Sequence, residues 1–516
     1  MRRTFFNIKQ RNRLGKKKER YAMKIFFDTR SIADYETFLN VRKLPSYRFI
    51  GGLASIPDEY ASQLGLDANQ HTDVDVDLHP SLFDYQRDIA RLAIEKRKYA
   101  VFADCGLGKT FMILEFAKHA ARVTGKRVLI VSPLMVVNQT IEEAGKFYPG
   151  ISIGRIPAAN LEHWLNGDED YHCQIGVTNY ESIREGLFQS KLGGLILDES
   201  SMLKSHYGAW GTRLIELGQG LDWKLCATGT PAPNDRIEFA NHAVFLDRSR
   251  TVNEFLATYF INRGETQNRW ELKHHALKPF YRSLSDWSIF LTNPATYGWK
   301  DNVGVTPPIN IHIDHIDLTE TQRKAAQSLT GNLLTTSVGG IASRGKLSQI
   351  AKGKNGMETN KPAFIRAQVD SWPDESTIIW CHYNDEQELM EKTFPEAVSI
   401  TGATKESDRE ESIRRFKSGE VKVMITKLKI LGFGLNLQVC TRQIFSGLKD
   451  SYEEFYQGVK RSNRIGSTKP LNVHIPVTEL EYPFVENVLR KSARVEQDTK
   501  EQEELFKECG YAFIQR

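Results

Sequence analysis

The sequence predicts an α/β protein of two lobes, each a parallel β-sheet flanked by helices, with a small N-terminal α+β extension and a C-terminal helix. Three observations carry this. From Ser81 onward, short uninterrupted apolar runs alternate with amphipathic helical stretches, the pattern of strands buried on both faces. The alternation comes in two separate series, which calls for two sheets. The 516 residues are also enough for several domains, each with its own core.

Residues 1–22, MRRTFFNIKQRNRLGKKKERYA, are basic and lack a hydrophobic period. They read as an arm that contacts phosphates, as a disordered leader, or as an upstream start ahead of Met23. Residues 23–78 form a small α+β element and linker: MKIFFD is strand-like, SIADYETFLNVRKL is helix-like, and an acidic flexible stretch follows at HTDVDVDLHP. Residues 79–248 hold the first strand series, YAVFA (99–103), RVLIV (127–131), IGV (175–177), LILD (195–198) and KLCAT (224–228). Residues 249–308 are aromatic-rich and read as a mostly helical insertion or connection. The second series fills 309–480, with STIIWCH (376–382), VKVMIT (421–426), RQIF (442–445) and LNVHIP (471–476). Residues 481–516 read as a charged amphipathic helix packing back on the lobes.

Composition bounds the function classes. Lys and Arg number 69 against 64 acidic residues, for a net charge of +5, too small an excess to define a polyanion partner by itself. Six scattered cysteines without a CxxC pair argue against a metal cluster or disulfide framework. No apolar run approaches the roughly 20 residues of a membrane span, and the basic start lacks the apolar stretch of a signal peptide. These features point to a soluble protein of a reducing cytosol, with no membrane partner.

The strongest local signal is ADCGLGKT, comprising Ala103, Asp104, Cys105, Gly106, Leu107, Gly108, Lys109 and Thr110, directly after a strand and opening the helix FMILEFAKHAA. Glycines let backbone N–H groups turn inward and approach phosphates closely. Lys109 then supplies a point charge at the β- and γ-phosphates, and the Thr110 hydroxyl a Mg²⁺ ligand. Ala103 stands where the strict pattern has glycine, so the match is to a variant form. In GLILDES, Asp198 and Glu199 close a buried strand 89 residues after Lys109. Alone, such a pair is a solvated loop. Beside a phosphate loop it suits a Mg²⁺ ligand, Asp198, and a base that activates water, Glu199. Gln457, Arg461 and Arg464 lie in QGVKRSNRIG. By themselves they are a solvated helix face. With a phosphate loop in the other lobe, they are guanidinium groups reaching across a cleft to a γ-phosphate.

Read together, these segments resemble the Swi/Snf-type branch of the superfamily-two helicases and translocases, over residues 82 to about 476 and in the family's order. LFDYQ is similar to the adenine-reading element, with Gln86 as reader. ADCGLGKT is similar to motif I, and DESSMLK fills the DEAH-like position. VSPLMVVNQT and VTNYES resemble strand-contacting motifs, which implies nucleic-acid contacts at Pro133, Thr178 and Asn179. ATGTPAPND resembles the motif coupling ATP state to lobe movement, here Thr228, Gly229 and Thr230. LTETQ and KLSQI look like the family's entry to lobe two, and STIIWCHYNDEQELM resembles motif IV. KILGFGLNLQ resembles motif V, with Gly434 and Asn436 at the nucleotide, and YQGVKRSNRIG motif VI. The wording GFGLNLQ, DSYEEFYQ and TPAPNDRIEFANHAVFL is most similar to compact members encoded by phages and prophages. The resemblance implies two RecA-like lobes, ATP and Mg²⁺ in the cleft, and ATP-driven movement on duplex DNA through sequence-independent, salt-sensitive phosphate contacts. A role in phage or prophage DNA replication, recombination or repair would follow.

The departures are specific. DESS replaces the DEAH form, so Ser201 stands at the relay histidine, and Phe83 occupies the arginine of the usual LRPYQ. No chromatin-reading insertion stands out, so histones are not expected as partners. A strand-separating helicase, an RNA-directed ATPase and a DNA-binding module with ATP as a conformational latch remain open alternatives. The aromatics of 280–299 are expected to pack rather than stack on bases, and His274 and His275 to be surface residues.

Overall fold

The computed structural model describes residues 23–509 except 29, 58–59, 67–75, 168–171, 205–207, 265–269, 301–306, 331–340, 432–435, 449–450 and 465–466. The basic leader, half of the acidic stretch and Gly434 lie outside the described residues. In chain order the strands are β1 (Met23–Phe26), β2 (Arg48–Ile50), β3 (Leu53–Ile56), β4 (Lys98–Ala103), β5 (Arg127–Ser132), β6 (Ile153–Arg155), β7 (Ile175–Asn179), β8 (Leu192–Asp198) and β9 (Trp223–Thr228). There follow β10 (Phe260–Asn262), β11 (Trp270–Leu272), β12 (Ser288–Leu291), β13 (Ile309–His315), β14 (Thr377–Cys381), β15 (Val398–Ile400), β16 (Val423–Lys427), β17 (Arg442–Phe445) and β18 (Leu471–Val477).

Lobe one is a seven-stranded sheet of order β12-β4-β9-β8-β5-β7-β6, parallel throughout. Helices Asp84–Lys96 and Lys109–Thr124 cover one face, burying Ile89, Leu92, Ile113 and Phe116. Trp164, Phe239, Phe245, Phe280 and Trp287 cover the other. With both faces buried, β8 can be apolar along its whole length. At Gly176 of β7 an added Cβ would lie 2.8 Å from Ile156 and Trp164, so the strand admits only glycine there without displacing that core.

Lobe two is a six-stranded parallel sheet of order β13-β18-β17-β14-β16-β15, with separate cores around Trp380 and Phe445 on one face and Ile379 and Ile425 on the other. The antiparallel sheet β1-β3-β2 has a small core of Val41, Leu44, Ala54, Ile56 and Tyr60. The Tyr60 hydroxyl ties it to Asp286 of lobe one.

One feature differs from the sequence expectation. The segment 249–308 is more than a helical connection: its Ser288–Leu291 pairs in parallel with β4 as the edge strand of the lobe-one sheet. Its aromatics Phe280, Tyr281, Trp287, Phe290 and Tyr297 are buried, so burial of large apolar area decides their role. His274 and His275 are exposed. The last helix, Tyr482–Cys509, starts in the lobe-two core through Val485 and Val488 and ends with Phe506 in the lobe-one core. No helix among the described residues is long and apolar enough to cross a membrane.

Candidate active site

Because the lobe-one strands are parallel, their carboxyl ends lie along one edge of the sheet, where such folds bind ligands. That edge gathers Ala103 at the end of β4, Ser132 and Pro133 after β5, Asn179 of β7, Asp198 and Glu199 at β8, and Thr228 of β9. The phosphate loop leaves β4 and turns through Gly106 and Gly108, at φ +87° and +71°, values that glycine alone adopts readily. Helix Lys109–Thr124 starts on Gly108 without a side-chain cap, so its first N–H groups are open to an anion. Lys109 Nζ donates to the carbonyls of Ala103 and Asp104 at 2.9 and 3.3 Å, with Thr110 half-buried beside it.

Gln86 is buried, and both ends of its amide are engaged. Nε2 donates to Leu107 O at 3.3 Å and Oε1 accepts from Phe83 N at 3.1 Å. The first of these bonds ties Gln86 to the phosphate loop. A Cβ at Gly108 would run into that same amide.

Asp198 is buried and accepts from Ser132 Oγ at 3.3 Å. Burial, then the charge of Glu199, push its pKa up to about 7, against the pull of Lys109 and Ser132. A divalent cation would remove this cost of ionisation. Glu199 has a left-handed backbone, φ +54°, and accepts from Thr228 Oγ1 at 3.1 Å. Thr228 Oγ1 in turn accepts from Thr230 N at 3.1 Å. An added Cβ at Gly229 would lie 3.4 Å from Ala103 O, so the Thr228–Thr230 turn abuts the phosphate loop. Ser200 bonds the buried His242 at 3.1 Å.

Lobe two contributes helix Tyr452–Ser462. Gln457 is buried and its Nε2 has no hydrogen-bond partner. Arg461 is buried, which lowers its pKa, and Cys105, Arg464 and Glu199 act on its charge. Arg464 lies two residues past the helix end, half-buried, its N–H donated to Ser467 Oγ at 3.1 Å. Across the cleft, Asp104 accepts from Lys460 Nζ at 2.8 Å and from the Tyr456 hydroxyl. The phosphate loop, Glu199 and the arginine-bearing helix therefore meet in one place.

The expected nucleic-acid residues are not alike. Thr178 is buried and its hydroxyl donates to Ile156 O at 2.8 Å, so its side chain cannot touch a strand, which corrects that expectation. Asn179 is half-exposed and bonds Glu181 and Ser182, and Pro133 is half-exposed at the start of helix Leu134–Phe147. Asn436 is exposed, with its amide bonded to Gln438.

These residues fit a magnesium-bound triphosphate. An uncapped helix start and the orphaned Gln457 donor are matched to phosphate oxygens, and Thr110 and Asp198 offer hard oxygen ligands. Sequence reading missed Ser132, Glu453, Tyr456 and Lys460. The signal was present: positions 453, 456, 457, 460, 461 and 464 recur at helical spacing as a polar stripe on one face.

Two parallel sheets with a phosphate loop on one and an arginine helix on the other define a helicase-type core. Residues 85–364 match the SNF2-related domain, and residues 360–466 the helicase conserved C-terminal domain. The chain belongs to the SNF2-related family of superfamily-two helicases. It is 24% identical over 419 residues to YwqA of Bacillus subtilis (strain 168), covering 73% of this chain and 43% of that one. It is 22% identical over 426 residues to the DNA annealing helicase and endonuclease ZRANB3 of Mus musculus, covering 77% and 38%. The chain thus spans about two fifths of the length of these relatives. Among solved structures, the Sulfolobus solfataricus SWI2/SNF2 ATPase core in complex with dsDNA is 20% identical, covering 85% of this chain and 97% of that one, with a TM-score of 0.35.

Proposed function

We propose that this chain hydrolyses ATP between its lobes and uses the cycle to move along or remodel duplex DNA. The observation that carries the reading is the convergence of unsatisfied donors from both lobes: the uncapped helix at Gly108 and the buried, partnerless Nε2 of Gln457. Lys109 and the loop N–H groups hold the phosphates. Thr110 and Asp198 hold Mg²⁺, which when bound neutralises charge on the phosphate oxygens. Glu199, fixed by Thr228, accepts the proton of the attacking water. Arg461 and Arg464 stabilise charge that develops on the transferred phosphoryl group. Duplex DNA is the favoured track because the family's relatives carry DNA-helicase names, and the exposed rim at Pro133 and Asn179 supports phosphate contacts. The cytosol is the proposed site of action.

Steady-state hydrolysis measured alone and with duplex DNA, single-stranded DNA and RNA tests this. Stimulation is expected to be largest with duplex DNA and to fall as salt rises. Stimulation by RNA alone, or none by any nucleic acid, would overturn the duplex-motor reading.

A further inference from the structure

Helix Tyr452–Ser462 meets lobe one through two charged contacts of opposite sense. Near its start, the buried Glu453 carboxylate is bonded by the Lys204 ammonium, in the loop that continues from Glu199. The Ser201 hydroxyl donates to Glu199 O at 3.5 Å in the same loop. Near its end, Lys460 Nζ donates to Asp104 Oδ2 at 2.8 Å, and the Tyr456 hydroxyl donates to the same carboxylate. Asp104 Oδ1 also accepts from Cys105 N at 2.6 Å. Residues 453 and 460 are two turns apart, about 10 Å along one helix face. Gln457 stands between them and Arg461 follows directly.

The order of charges matters. Lobe one presents a cation beside its catalytic carboxylates and an anion in its phosphate loop, and the helix presents the complementary sequence. Sliding or reversing the helix would set Glu453 against Asp104, a like-charge contact. Asp104 and Lys460 side chains are 19% and 18% exposed, so solvent screens this pair less than an open surface pair. Burial opposes ionisation of Asp104, but Lys460, Tyr456 and the Cys105 N–H outweigh it and hold its pKa below the usual carboxylate value.

The geometry points to Lys204–Glu453 and Asp104–Lys460 as a two-ended clamp of positioning residues, which registers lobe two on lobe one before nucleotide arrives and so sets where Arg461 and Arg464 stand. This rests on the reading that ATP is cleaved between the lobes.

The test uses the full chain as Lys204→Glu, Glu453→Lys and the charge-swapped pair, since neither residue touches the phosphate loop. Three readouts are taken: kcat and KM for ATP with duplex DNA, the melting temperature, and the inter-lobe distance without nucleotide. The last is energy transfer between clickable amino acids at the exposed Lys126 and Lys392. Each single variant is expected to lose about 10²-fold in kcat, the scale of a 1 Å misplacement, with KM nearly unchanged, a lowered melting temperature from the broken buried pair and the lobes further apart. The swapped pair is expected to recover most of each. Single variants with the parental distance, or a swapped pair as impaired as the singles, would overturn the clamp. If the parent itself fails to hydrolyse ATP, the hydrolysis reading falls and the distance measurement still decides the clamp.

Discussion

Both lobes run a buried strand straight into a helix, and the two junctions are chemically opposite. After β14, Glu386 folds back to accept the N–H groups of His382 and Tyr383 at 2.7 and 3.1 Å. Helix Asn384–Thr393 therefore begins with a carboxylate of its own. After β4, helix Lys109–Thr124 begins on Gly108 with no side-chain cap; the Asp104 carboxylate takes the N–H of Cys105 and its carbonyl that of Leu107. A helix start carries about half a unit of positive charge. Lobe two has neutralised that charge internally, whereas lobe one leaves it for a guest. Similar sheets thus acquire different roles from the residues at one turn.

The sharpest break of this contrast is Lys109→Ala. It removes the central charge of the open junction, so hydrolysis should become unmeasurable and ATP binding should weaken, as read by calorimetry and a phosphate-release assay. Glu199→Gln should instead bind ATP and leave it uncleaved, and parental turnover in both variants would refute the phosphate-loop reading.

Arg464→Ala tests whether the capped lobe still contributes to the chemistry. Turnover should fall by about 10³-fold or more, because the guanidinium acts on transition-state charge. Nucleotide affinity should stay near the parent's, and duplex DNA should not rescue the rate. A variant with full DNA-stimulated turnover would confine the site to lobe one.

Glu386→Ala reopens the lobe-two junction. Loss of a cap of this kind costs about 1 kcal/mol, seen as a lower denaturation midpoint with ATP affinity unchanged. An equal loss of ATP affinity would mean that the two junctions are not independent.

An effect confined to acidic pH concerns His242, buried behind the Glu199 loop, whose pKa burial pushes down to about 4. Its ordinary value is 6.5, so the unfolded chain binds this proton first as pH falls. The stability it contributes is present above the unfolded value and is lost as pH drops towards the folded one. Between pH 7.5 and 5 this amounts to roughly 2 kcal/mol. His242→Gln should flatten that part of the stability profile measured by denaturant unfolding at several pH values, and an unchanged slope would exclude His242 as the source.

The nine buried central strands were legible in the sequence because each is an uninterrupted apolar run, as in KLCAT and STIIWCH. The edges were not. β6 and β15 have three residues each, too few for a period, and β12 lies within an aromatic-rich stretch whose apolar content masks a strand. β13, INIHIDH, alternates in sequence, yet Ile311 and Ile313 stay exposed. At the site, the phosphate loop and the Asp198–Glu199 pair are local words and were readable as such. Thr178 was misjudged because a residue type does not say which carbonyl will claim its donor. Lys460 finds Asp104 across 356 residues, a pairing that no local pattern contains.

The tail helix has a mechanical consequence. The chain crosses from lobe one to lobe two once, between Leu291 and Ile309, and helix Tyr482–Cys509 carries it back. Glu481, clasped by Lys361 and Lys352, anchors the near end. Arg236 on Asp498 and Thr292 on Glu503 anchor the far end. At 1.5 Å per residue the helix is about 42 Å long, long enough to be a stiff rod fastened to both bodies. Two bodies joined by a single flexible thread can tumble in every direction. A second connection of this kind, fastened by ion pairs at both ends, restricts the ways in which one lobe can move against the other. Energy released in the cleft would then have a direction to go before any track is bound.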